Sequence, residues 1–170
     1  MNAHVAAIDN SQRGLIILGV TESDAHVVAN QLIAHYLRDN GYEVLNLGAC
    51  TSVEEFADAC TQHPRVLAVV IGTANGHAFE DLRALRKAKD QLAIPCPVIL
   101  GGNLWVGLDK PVDIEPRLRA LGVDRILEHP RDLLTTLREL PRRNAGAERA
   151  SVTSETTIRF TAWKPEKGSL

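Results

Sequence analysis

Short apolar runs alternate along the chain with longer segments whose apolar residues recur at helical spacing. Residues 15–20 and 66–71 are unbroken apolar runs rich in β-branched side chains, which is typical of strands buried on both faces of a parallel sheet. Between such runs, apolar residues at intervals of three and four positions predict amphipathic helices. The pattern predicts strands at 15–20, 43–47, 66–71, 98–100 and 125–127, and helices at about 27–37, 52–62, 79–92, 114–121 and 132–140.

Two of these helices carry recognisable end signals. Asn40-Gly41 follows the first helix, and glycine suits the left-handed conformation that often ends a helix. Ser52 with Glu55 has the spacing of a capping box, in which each side chain bonds the other residue's backbone N–H.

Strict alternation of strands and helices predicts an α/β fold with a parallel sheet and helices on both faces. Right-handed crossovers leave few topologies, and a flavodoxin-like, doubly wound five-stranded sheet in the order 2-1-3-4-5 is favoured. Ligands of such sheets bind at the carboxyl ends of the strands. The segments expected to matter are therefore 21–26, 48–52, 72–77, 101–107 and 128–131.

The length of 170 residues is that of one domain. We expect residues 1–13 to be a flexible lead-in, residues 14–140 to form the domain, and residues 141–170 to be a basic tail. The tail holds six Lys or Arg against three Glu. It is predicted to be either disordered or an arm that docks on a partner or a second subunit.

Composition excludes several classes of function. A net charge of −2 and an aromatic content of 4% argue against a nucleic-acid partner. No apolar run approaches the roughly 20 residues of a membrane span, so no membrane association is expected. The three cysteines show neither a disulfide framework nor a CxxC motif, and a reduced, cytoplasmic location is expected.

Candidate chemistry begins with Asp24 and His26, just after the first strand. An imidazole there can ligate a metal through one nitrogen while a carboxylate holds the other; a solvated loop or helix cap is the alternative interpretation. His77 and His129 fall on the same edge, but no close-spaced ligand pair supports a three-histidine zinc site. There is no Walker motif and no GxGxxG after the first strand.

A combination of short stretches resembles a known family. Residues 18–30, LGVTESDAHVVAN, are similar to the DxHxxG region of cobalamin-binding domains, in particular the family of small, cobalamin-binding subunits of glutamate mutase (methylaspartate mutase). Gly101-Gly102-Asn103 and residues 120–125 fit the same family, and the resemblance spans about 14–140.

The resemblance implies adenosylcobalamin as cofactor, with His26 as the lower cobalt ligand and Asp24 as the group that orients it. It further implies that the displaced nucleotide tail of the cofactor enters a pocket lined by Gly101-Gly102, and that no catalytic residue lies on this chain alone. The cofactor contacts expected from it are Ser23, Asp24, His26, Ala29, Thr73, Ala74, Gly101, Gly102, Asn103 and His129.

The implied function is the small component of a carbon-skeleton mutase of the glutamate-to-3-methylaspartate type. A separate large, barrel-type subunit would bind most of the amino-acid substrate. The sequence departs from the family at Ala29, at Gly72-Thr73-Ala74 and at residues 128–131. These departures keep an alternative open, namely a non-catalytic cobalamin carrier or sensor, or a homologue that no longer binds corrinoid.

Overall fold

A computed structural model describes residues 13–108 and 111–141. The expected lead-in, except Arg13, and the expected basic tail, except Pro141, lie outside the described residues. The elements in chain order are β1 (Leu15–Thr21), α1 (Val27–Asp39), β2 (Glu43–Thr51), α2 (Val53–Gln62), β3 (Val66–Thr73), α3 (Ala78–Asp81), α4 (Leu85–Asp90), β4 (Val98–Gly102), α5 (Ile114–Ala120), β5 (Arg125–Leu127), a 3₁₀ turn (Pro130–Asp132) and α6 (Leu133–Glu139).

The five strands are all parallel and lie in the order β2-β1-β3-β4-β5. This confirms the predicted flavodoxin-like order. Because β1 and β3 are central, both of their faces are covered, and this explains their unbroken apolar runs. The carboxyl ends of β1 and β3 are neighbours, so their two following loops meet at one edge of the sheet.

Each face of the sheet has its own apolar core. One core contains Phe56 from α2, Leu85 from α4 and Leu118 from α5. The other contains Leu37 from α1 and Leu137 from α6. Helices therefore cover both faces, as predicted, and α1 and α6 share the face on which the functional site lies.

The predicted helix at 79–92 is wrong as a single element. The structure has α3 and α4 separated by a turn, within which Leu85 N–H donates to Leu82 O at 2.9 Å. The apolar residues of this segment, Phe79, Leu82, Leu85 and Ala88, are spaced by three rather than by 3.6 positions. Tighter winding keeps such residues on one face, because a 3₁₀ turn has three residues.

The predicted loop at 48–51 is also wrong, because β2 continues to Thr51. The strand is irregular there: its pairing with β1 shifts register twice, and Gly48 and Cys50 have φ of 93° and 54°. A left-handed φ suggests a turn from sequence, but Cys50 N–H still donates to Asp24 O at 3.0 Å, which holds the end of β2 beside the loop after β1.

The predicted helix ends are confirmed. Gly41 has a φ of 82°, in the left-handed region that closes α1. Ser52 and Glu55 form both bonds of the capping box that begins α2. No helix among the described residues has the length and apolar character that crossing a bilayer requires.

Candidate functional site

The centre of the site is the side-chain pair Asp24 and His26, between β1 and α1. Asp24 is 1% exposed, and its Oδ1 lies 2.6 Å from His26 Nδ1. The same oxygen accepts from the backbone N–H of His26 at 2.9 Å, so the carboxylate holds both the backbone and the ring of the histidine. The His26 side chain is 70% exposed, which leaves the far side of its imidazole open to a ligand.

The electrostatics of Asp24 determine which nitrogen of His26 is free. Burial opposes ionisation of the carboxyl, but hydrogen bonds from Ala74 N–H, from His26 and from Asn75 N–H outweigh it and hold the pKa of Asp24 below its usual value. An ionised carboxylate can only accept hydrogen bonds. Nδ1 of His26 must therefore carry a proton, so in the neutral imidazole it is Nε2 that presents a lone pair able to ligate a metal.

A polar network joins the loop after β1 to the loop after β3. Asp24 Oδ2 accepts from the backbone N–H groups of Ala74 and Asn75. Asn75 Nδ2 donates to the backbone oxygen of Ser23 at 3.0 Å and to its hydroxyl at 2.8 Å. The Ser23 hydroxyl in turn donates to Asp81 Oδ2 at 2.8 Å. Hydrogen bonds from the loops after both β1 and β3 thereby fix the position of Asp24.

A cavity of about 300 Å³ lies beside this pair, on the sheet face covered by α1 and α6. Exposed His26 and Glu128 line it together with buried Leu18, Val70 and Leu133, so it extends from the surface into the core. Its volume is at the lower end of the roughly 300–1,000 Å³ of small-molecule sites. An apolar ring can be enclosed in such a cavity while a polar part stays near the surface.

One polar side chain in the cavity wall has no partner. Asn30 is 2% exposed, and neither its Oδ1 nor its Nδ2 makes a hydrogen bond with any residue the structure describes. It is the fourth residue of α1, and His26 is the N-cap of that helix, so both lie at its N-terminal end and line the cavity. A buried polar group left unpaired costs about 1–3 kcal/mol, so this amide is suited to a ligand that enters the cavity.

Most of the sequence-predicted cofactor contacts are brought together here. Seven of the ten line the cavity: Asp24, His26, Ala29, Thr73, Ala74, Gly101 and Gly102. Ser23, Asn103 and His129 are not among the lining residues. Ser23 bonds Asp81 instead, Asn103 donates through Nδ2 to Ala74 O at 3.3 Å, and His129 is exposed before the 3₁₀ turn.

The glycines at the carboxyl ends of β3 and β4 have separate roles. Gly102 has a φ of 113°, and a Cβ there would lie 1.9 Å from Thr73 O, so the neighbouring strand itself excludes any side chain. At Gly101 the nearest atom to such a Cβ would be Leu127 Cβ at 3.5 Å, an ordinary contact. At Gly72 it would be Gly19 O at 3.8 Å, which leaves room for a side chain. Only Gly102 is required by the backbone.

The part of the chain that the structure describes holds no cluster of metal-binding side chains. Within residues 13–108 and 111–141, no group of three or more His, Cys, Asp or Glu side chains is placed to bind one ion. A site here would use His26 as a single protein ligand, which suits a metal whose other positions are filled by its own cofactor.

Sequence reasoning missed Asn30, Asn75 and Asp81. Asn30 had a usable signal, because it lies on the face of α1 whose next members, Ile33, Ala34 and Leu37, are apolar. The contacts of Asn75 and Asp81 with Ser23 join residues 52 and 58 positions apart, and nothing local indicates them.

The chain matches the model of the B12 binding domain over residues 14–109. It is 35% identical to glutamate mutase sigma subunit 1 of Haloarcula marismortui, over 73% of this chain and 83% of that protein. It is 31% identical to the glutamate mutase sigma subunit of Clostridium tetanomorphum, over 68% of this chain and 84% of that protein.

Solved structures have the same fold. A cobalamin-binding protein from Desulfitobacterium hafniense superposes with a TM-score of 0.61 at 20% identity, over 76% of this chain and 60% of that one. With a matched domain model that spans more than half of the chain and relatives above 30% identity, the chain belongs to the B12 binding domain family and, within it, to the family of glutamate mutase sigma subunits.

Proposed function

We propose that this chain is the cofactor-holding component of an adenosylcobalamin-dependent carbon-skeleton mutase of the glutamate mutase type. The observation that carries the proposal is the Asp24–His26 pair beside the cavity: an exposed imidazole whose Nδ1–H is held by a buried carboxylate. Membership in the family of glutamate mutase sigma subunits supports the same conclusion.

The residues present fit a cobalt corrinoid on three counts. His26 offers one nitrogen ligand, the wall of the cavity is mainly apolar, and Asn30 has unpaired polar atoms buried in that wall. His26 would ligate cobalt through Nε2, and Asp24 would keep the Nδ1 proton in place. The base displaced from cobalt would enter the cavity. When bound, adenosylcobalamin supplies a radical by homolysis of its cobalt–carbon bond.

The substrate would be bound elsewhere. Relatives are named sigma subunits, which implies a further subunit in those enzymes. We infer a large, barrel-type partner that binds the amino acid and positions it above the cofactor. The contribution of this chain is then to hold and orient the cofactor. A cytoplasmic location stays a prediction.

Ligation by His26 can be tested by electron paramagnetic resonance of the Co(II) form of cobalamin mixed with ¹⁵N-labelled protein. We expect hyperfine coupling to one labelled nitrogen in the parent and its loss in His26→Ala. His35→Ala is the matched control, because His35 is an exposed histidine of α1, the helix that His26 caps. Absence of corrinoid binding, or coupling that persists in His26→Ala, would overturn the proposal.

The mutase proposal is separable from a carrier or sensor by reconstitution. The protein, adenosylcobalamin and the catalytic subunit of a glutamate mutase are mixed, and conversion of glutamate to 3-methylaspartate is measured. Turnover that needs all three supports the mutase. Tight corrinoid binding without complex formation or turnover supports the carrier, which the altered wall residues Ala29 and Gly72 favour.

A further inference from the structure

Asn30 is the one cavity-lining side chain, among the described residues, whose buried polar atoms have no partner. Thr21 Oγ1 is also buried and unpaired, but Thr21 does not line the cavity. The amide of Asn30 presents both a donor and an acceptor. The cavity wall that it shares includes the apolar Ile33 of α1 and Leu133 of α6. The presence of this amide therefore indicates a polar atom on whatever fills the cavity.

The position of Asn30 indicates which part of the ligand it meets. Asn30 lies in the first turns of α1, His26 is the N-cap of that helix, and both line the same cavity. If His26 is the cobalt ligand, the cofactor's own base and its nucleotide chain would be free to enter the cavity that His26 lines. That tail is the portion of the cofactor able to reach a cavity wall beyond His26.

We infer that Asn30 is a specificity-determining residue for the nucleotide tail of the corrinoid. Its side-chain amide forms a hydrogen bond with a polar atom of the tail, either a ring nitrogen of the base or an oxygen of the ribose phosphate. This inference rests on the proposed function. It adds that the cavity selects corrinoids by a polar feature of the tail, and not by apolar enclosure alone.

The test compares two corrinoids that differ by the tail. Cobalamin carries the nucleotide tail, and cobinamide lacks it. Dissociation constants of both are measured by visible absorption for the parent, for Asn30→Leu and for the matched control Gln31→Leu, an exposed residue of α1 outside the cavity. We expect Asn30→Leu to raise the Kd of cobalamin about tenfold and to leave that of cobinamide within about twofold. Gln31→Leu should change neither.

A second measurement separates recognition from damage to the fold. Asn30→Leu removes an unpaired buried amide, so the thermal midpoint of the cofactor-free protein should stay equal or rise. Asn30→Ala removes the amide without filling the space, and it should also raise the Kd of cobalamin. A corrinoid whose base is p-cresol has no ring nitrogen, and its Kd identifies the atom that Asn30 contacts. If Asn30→Leu still raises this Kd, the hydrogen bond is to the ribose phosphate. If the Kd is unchanged, the hydrogen bond is to the base. Either result supports the inference.

The inference and the proposed function fail in different ways. If the parent binds cobinamide and cobalamin, but Asn30→Leu and Asn30→Ala leave the Kd of cobalamin within about twofold, the role of Asn30 is refuted and the proposed function stands. An equal loss for both corrinoids also refutes it. If the parent binds neither, the proposed function fails and the inference fails with it.

Discussion

Replacing Asp24 by Asn should disable the cobalt ligand without unfolding the domain. All four groups that bond the carboxylate of Asp24 are donors: His26 N–H and Nδ1–H on one oxygen, Ala74 N–H and Asn75 N–H on the other. An amide has only one oxygen. Turned toward Ala74 and Asn75, it keeps those two bonds and points its NH₂ at His26. The NH₂ then donates to Nδ1, which places the ring proton on Nε2, where cobalt should bind.

Two magnitudes follow. The free energy of unfolding should fall mainly because the hydrogen bond from His26 N–H to a charged acceptor is lost. Such a bond contributes about 1.5–3 kcal/mol, and the low end is expected because water reaches the exposed His26. Corrinoid affinity should fall about 10–100-fold, the usual effect of removing the partner of a metal-bound histidine. Urea unfolding gives the first value, and a cobalamin titration gives the second.

The spectroscopic result is the sharper one. In Asp24→Asn the histidine nitrogen coupling to Co(II) should be lost while the protein remains folded. Asp81→Asn is the control, because Asp81 accepts from Ser23 and does not touch His26, so coupling should remain. Asp24→Asn protein with the affinity and nitrogen coupling of the parent would refute the reasoning.

Further predictions concern the cavity wall and its glycines. Ala29→Gly should raise cobalamin affinity several-fold by removing a methyl group from the cavity wall, at a helix cost of about 1 kcal/mol in urea unfolding; unchanged or weaker binding would contradict this. Gly72→Ser should add a hydroxyl without a clash, because the nearest atom to its Cβ would be 3.8 Å away, and a net bond of about 0.5–1.5 kcal/mol should appear as tighter binding in the same titration. Gly102→Ala should destabilise the fold by about 1–3 kcal/mol or more, since φ is 113° and Thr73 O blocks a Cβ, whereas Gly101→Ala should leave the unfolding midpoint nearly unchanged and weaken cobalamin binding only. Equal unfolding midpoints for Gly102→Ala and Gly101→Ala would refute the conclusion that the backbone requires glycine at position 102 but not at 101.

The strands were predictable where burial alone determines them. β1 and β3 are covered on both faces, so their apolar runs indicate strands whatever their neighbours are. The end of β2 was not predictable, because Gly48 and Cys50 adopt left-handed φ values inside a strand. Pairing with β1 overrides a local preference for a turn, and that pairing is a tertiary contact.

The residues of the site were likewise predictable only where they are neighbours in the sequence. Asp24 and His26 are two positions apart, so the sequence alone places the carboxylate within reach of the imidazole. The second half of the environment of Asp24 comes from Ala74 and Asn75, fifty or more positions away. Only the fold reveals that β1 and β3 are neighbours whose loops share one carboxylate, and that Asn30 is buried without a partner.

The double attachment of Asp24 gives the molecule a built-in reporter. The amide protons of Ala74 and Asn75 are held by the same carboxylate that holds the imidazole of His26. Their exchange with deuterated solvent therefore depends on how firmly that carboxylate is fixed, although they lie in the loop after a different strand, outside any regular ladder. Binding at His26 that tightens the carboxylate should slow exchange at these two amides, so the state of the metal ligand can be followed from the backbone of β3's loop without observing the metal.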